Sequence, residues 1–148
     1  MSALAPTADH TPGLAAAPAS DGLSRGQIAI LVAWGLLFWL LAALFIRYAP
    51  PELFEGGIAT ALLFVASVPA AWPSVWITRR LAALKPSQVV PGAALASAAA
   101  MMCDGIGLTW SSLYAPVGAA PLAAAAWLLW GVSLILLAAF VTARRLGA

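Results

Sequence analysis

IAILVAWGLLFWLLAALFI, residues 28 to 46, carries no charge and no turn-forming pair. A helix of about 20 such residues crosses the roughly 30 Å hydrocarbon core of a bilayer. Three more stretches of this kind follow: Ile58 to Thr78, about Val89 to Tyr114, and about Leu122 to Thr142. No segment alternates polar and apolar residues as a membrane barrel requires. The intervening YAPPELFEGG (48–57), RRLAALKPSQ (79–88) and APVGAAP (115–121) are rich in turn formers. Pro91 and Pro121 fall in the first turns of spans three and four, where a missing N–H matters little. The pattern predicts an all-α polytopic membrane protein, a four-helix bundle over residues 23–148.

Composition agrees. Of 148 residues, 64% are hydrophobic and 8% charged, and the mean hydropathy is +0.98. A soluble domain carries about 25% charged residues to coat its surface. The net charge of +2 is too small and too scattered for a nucleic-acid interface. Cys103 is the single cysteine and His10 the single histidine. A haem-binding histidine pair, a zinc cluster and paired redox thiols are therefore absent, and no cofactor or metal is expected. Residues 1 to 22 are rich in Ala, Pro, Ser and Thr without periodicity, and read as a disordered tail. The small residues precede the first apolar run rather than follow it, so that run reads as an uncleaved span rather than a signal peptide.

The basic residues set the topology. Arg25, Arg79, Arg80, Lys85, Arg144 and Arg145 all fall on one side of a four-span chain. Arg47 stands on the other side with Glu52 and Glu55. The positive-inside rule places both termini in the cytoplasm.

From Pro86 to Ala143 the only charged residue is Asp104, within AAAMMCDGIGLTW (98–110). A central Asp costs about 2.5 to 3.5 kcal/mol on insertion, against a gain of about 0.3 to 0.6 for each strongly apolar side chain. Span three, mostly Ala, Ser and Gly, has few of these and must be held by its neighbours. Ser97, Ala100, Met101, Asp104, Gly107, Leu108 and Ser111 recur at helical steps and form the expected inward face. Leu95, Met102, Ile106 and Leu113 are expected toward lipid. At about 1.5 Å per residue, Asp104, Ser67, Trp130 and Trp39 lie about 12 to 15 Å below the outer ends of their spans, one from each helix. Arg47, the only base near the outer half, is the candidate fifth member of this cluster. A deep Trp is either core packing or an indole N–H with a partner. Pro69 and Pro73 free the carbonyls of Val65 and Pro69. A kink facing the interior would let a hydroxyl, a water or an indole meet them. Asp104 is either a neutral, hydrogen-bonded pin or a proton- or ion-coupled site.

WGLLFWLLAALFIRY (34–48), VVPGAALASAAAMMCDGIGLTWSSLYAP (89–116) and AAWLLWGVSLI (125–135) resemble a family of small bacterial four-span membrane proteins without an assigned function. The resemblance spans about Leu31 to Arg145 and marks Arg47, Pro91, Asp104 and Trp130. It implies the bacterial inner membrane and supplies no activity.

Two functions compete. The first is a non-enzymatic accessory or self-associating bundle, whose partners are the bilayer and either a second copy or another membrane protein. The alternative is a small transporter resembling the four-span drug exporters, using Asp104 for proton coupling and tryptophans for organic cations, although those exporters carry their acid in the first span instead. An enzyme is not expected, since no nucleophile–base pair or metal set is present. The topology is directly testable. A periplasm-active reporter fused after Ala148 should be silent, and strong activity there would refute a cytoplasmic C-terminus.

Overall fold

The first helix starts at a capping box. The Gln27 amide donates to Ser24 Oγ at 3.2 Å, and the Ser24 amide donates to Gln27 Oε1 at 2.9 Å, which satisfies two amides at the helix start. In a computed structural model, which describes residues 22–110, 114 and 121–147, this helix is α1 (Arg25–Tyr48). It is followed by α2 (Ile58–Leu81), α3 (Val89–Trp110) and α4 (Pro121–Gly147). All four are long and apolar enough to cross a membrane, and no strand occurs among the described residues. Apart from Gly22, the expected tail lies outside the described residues, as do Ser111, Leu113 and most of the third connection.

The other two connections are more structured than plain turns. Pro51–Phe54 and Pro86–Gln88 form short 3₁₀ turns. Phe54 is folded back into the core, with its ring edge-on to Trp127 at 6.2 Å. Near the other end, buried Gln88 is the centre of a polar knot. The Gln27 side chain donates to Gln88 Oε1 and to the Ala82 carbonyl, each at 3.1 Å. The Lys85 amide donates to the same Oε1 at 3.1 Å, and the Gln88 amide group donates to the Gly22 carbonyl at 3.0 Å. The knot gathers Arg25, Arg79, Arg80 and Lys85 at one end of the bundle. Ala138 and Ala139 of α4 share a core cluster there with Leu84 and Val89, which brings Arg144 and Arg145 to the same end. Arg80 lies over the Trp76 ring at 5.2 Å and Arg144 over Phe140 at 5.6 Å, so these cations sit on aromatic faces beside the apolar spans.

Alpha-helix α3 lies along α1 and is the most buried of the four spans. Helix α4 packs on both α2 and α3, while α1 and α2 hardly touch. The α1–α3 crossing is set by Gly35, where an added Cβ would collide with the backbone oxygen of Ala96. Small residues at such a crossing let the backbones approach closely. The buried face of α3 is Ala93, Ala96, Ser97, Ala100, Asp104 and Gly107. Met101 was expected on it and is instead 42% exposed. It lies about 100° around the helix from Ala100, outside the contact seam. Leu95 was expected toward lipid and is partly buried against the core cluster that also holds Ala138 and Ala139 of α4.

The core divides in two. One cluster, with Leu31, Val75, Leu84 and Val89, fills the basic end. The other, with Ile46, Phe54, Tyr114 and Ala124, fills the opposite end. Gly35→Ala should force α1 from α3 and lower stability by about 1 to 3 kcal/mol, measured by unfolding in detergent. Gly105→Ala, with nothing within 4 Å of the new Cβ, should be neutral or stabilising by up to about 1 kcal/mol. Equal behaviour of the two variants would contradict the close crossing.

Candidate functional site

Between the two core clusters lies a cavity of about 230 Å³ lined by all four helices. Its walls are small where they face each other: Gly35 and Ala42 of α1, Ala71 of α2, Ala96 and Ala100 of α3, Gly131 of α4. The space is spanned by indoles. Trp34 of α1 donates to Thr78 Oγ1 of α2 at 3.0 Å, closing the basic end of the cavity. Trp127 of α4 donates to Ser67 Oγ of α2 at 2.9 Å. Trp39 of α1 donates to the Tyr114 hydroxyl at 3.1 Å. Tyr114 in turn donates to Asp104 Oδ1 at 2.6 Å, a short bond of the kind made to an ionisable acceptor.

The hydroxyls that accept from indoles in α2 are themselves oriented. Ser67 donates to the Leu63 carbonyl at 2.9 Å and Thr78 to the Ser74 carbonyl at 2.8 Å. Ser74 does the same to Ala70 at 2.8 Å. With their protons committed to their own helix, their lone pairs point outward to an incoming N–H. Ser97 differs. It is 8% exposed, lines the cavity, and has no hydrogen-bond partner among the described residues.

Of the five residues expected to cluster, Asp104, Trp39 and Ser67 line this one cavity. Trp130 and Arg47 are not among its lining residues. Trp130 donates instead to the Phe64 carbonyl of α2 at 3.0 Å and is 40% exposed. The reason is register. The seam of α4 passes through Ala124, Trp127, Gly131 and Ile135, so Trp127 enters the interior and Trp130 lies beside it. Arg47 sits in the last turn of α1, more than two turns beyond Trp39. The prolines also depart from expectation. Pro69 and Pro73 are exposed, so the carbonyls they free face outward, and the indole reaches Phe64 rather than Val65.

Sequence reasoning passed over Tyr114 and Trp127, and also the Trp34–Thr78 pair. The signal for Trp127 was present in the three- and four-residue spacing of α4. The signal for Tyr114 was not, because it lies past the end of α3, where helical periodicity no longer applies. Gly107 is what admits it: an added Cβ would come within 2.9 Å of the Tyr114 ring. Searches of family models, curated proteins and solved structures find no match for this chain, so the resemblance to a four-span family rests on its motifs.

Tyr114→Phe tests the relay. It removes the hydroxyl shared by Asp104 and Trp39 and should destabilise the protein by about 1 to 3 kcal/mol. It should also shift the carboxyl band assigned to Asp104 by its loss in Asp104→Asn. An unshifted band in infrared spectra would show that Tyr114 is not bonded to the carboxyl.

Proposed function

We propose that this protein is a small proton-coupled carrier of a bacterial inner membrane, with both termini in the cytoplasm, and that the central cavity is its binding site. The observation that carries the reading is the position of Asp104, a carboxyl on the wall of a cavity that all four helices share. A buried acid serving only as a pin would be enclosed by donors. This one borders open space that it shares with Ser97, two turns away on the same helix face, whose hydroxyl has no partner among the described residues. Among the described residues, Tyr114 is the titratable group that meets it. Intramembrane carboxyls of this kind mark ion and proton pathways. Ionised, Asp104 holds a bound partner. On taking a proton it becomes neutral and releases that partner, so one group alternates between two cargoes. The basic asymmetry between the two ends of the bundle supports the orientation.

A second reading, a non-enzymatic accessory or self-associating bundle, is favoured by the outer face of α2. That helix is the least buried of the four, with Trp72 and Trp76 exposed beside Pro69 and Pro73. Carbonyls deprived of their helical donors in hydrocarbon call for another group to cover them.

Purified protein in vesicles containing a pH-sensitive dye separates the two. Across a panel of cationic, neutral and anionic solutes, at least one should drive proton movement in the wild type and none in Asp104→Asn. Flux that persists in Asp104→Asn, or no flux with any solute, would overturn the carrier and leave the accessory reading, in which a partner should co-purify in mild detergent.

A further inference from the structure

The polar groups around the cavity restrict what it can hold. The N–H groups of Trp34, Trp39 and Trp127 already donate to Thr78, Tyr114 and Ser67. The hydroxyls of Ser67, Ser74 and Thr78 already donate to carbonyls of their own helix. A sugar, an amino acid or another solute with many donors and acceptors would lose its hydration here and gain few bonds in return. Among the described residues, the groups still able to engage a ligand are the Asp104 carboxyl, the unpartnered Ser97 hydroxyl and, as an acceptor alone, Ser74 Oγ. Asp104 and Ser97 lie seven residues apart on one face of α3, about 10 Å along the axis. The rest of the lining is aromatic faces, with Phe38 among them, and small apolar side chains.

The mouth of the cavity points the same way. Leu41 of α1 and Ala70 of α2 line it and are both exposed, Leu41 at 54%. Ala70 lies at the middle of α2 and Leu41 about two turns inside the end of α1, and these two helices hardly touch. The opening therefore faces the hydrocarbon of the bilayer rather than water at either end.

We infer that the cavity takes a small monovalent organic amine with an apolar, preferably aromatic, body, which reaches it sideways from the bilayer between α1 and α2. The ammonium pairs with Asp104, the body lies against the faces of Trp34, Phe38 and Trp39, and a distal acceptor or hydroxyl meets Ser97. A cation over indole faces gains from the ring quadrupole as well as from the carboxylate. The volume, below the roughly 300 to 1,000 Å³ of drug-sized pockets, limits the body to about one ring system. This inference rests on the carrier reading and adds the substrate class.

The test is a binding titration followed by intrinsic tryptophan fluorescence, with the full chain in lipid nanodiscs and empty nanodiscs as the partition control. The probes are 2-phenylethylammonium, its neutral counterpart 3-phenylpropan-1-ol, the anion 3-phenylpropanoate, and ethanolammonium, a cation without an apolar body. The first should bind at least about ten-fold more tightly than the other three, the size expected of one charge-assisted hydrogen bond. Asp104→Asn should reduce its affinity by a similar factor, and the wild-type probe series decides the matter by itself if that variant does not fold. Equal binding of ammonium and alcohol, or stronger binding of ethanolammonium, would overturn the substrate class, while proton flux with another solute would still uphold the carrier. Selective amine binding that moves no protons would do the reverse.

Discussion

An indole N–H in hydrocarbon has no water to turn to, and the interior of this protein is arranged around that fact. Four of the seven tryptophans, Trp34, Trp39, Trp127 and Trp130, each reach another element for an acceptor. Each such bond fixes both the direction and the separation of the parts it joins. Because the facing residues are Ala, Ser and Gly, little else could hold the helices apart. Remove the indoles and the small-residue faces of α1 and α2 would be free to close on each other, as those of α1 and α3 do at Gly35. The cavity is therefore a product of large donors placed among small neighbours.

The same contrast explains why packing is uneven. Dispersion contacts and shape complementarity, not a hydrophobic driving force, hold helices together in lipid. The two core clusters supply them at the ends. In the middle layer, polar bonds replace contact area. Asp104, through Tyr114 and Trp39, joins α3 to α1 across that layer. Its carboxyl thus serves the architecture and borders the open space at once, which is why pin and site need not be alternatives.

Much of this was legible in advance. The four spans, their order and the sidedness of the basic residues follow from apolar run lengths and charge placement. The inward position of Asp104 follows from a single helical stripe. Trp39, Ser67 and Asp104, which the depth count places in one layer, line one cavity. The count failed for Trp130 because depth says nothing about azimuth, and the neighbouring Trp127 held the interior position. It failed for Arg47 because lying toward the same end of the bundle is a weaker condition than facing the same space. Phe54 and Tyr114 could not be found by any periodic rule. Both sit where the chain leaves a helix, and their burial depends on cavities offered by other elements: Tyr114 on the space at Gly107, Phe54 on the edge of Trp127.

The knot at Gln88 has a consequence for how the protein is made. Helix α3 is the poorest inserter of the four, yet the short turn that leads into it is fastened, through Gln88, to the start of α1 and to the Gly22 carbonyl. Those partners leave the ribosome well before α3 does. A docking place therefore stands ready when the weak span arrives, and the order of synthesis supplies what its own composition lacks. The amide side chains of Gln27 and Gln88 act as the latch of that assembly, and a chain rearranged so that α3 emerged before α1 would lose it.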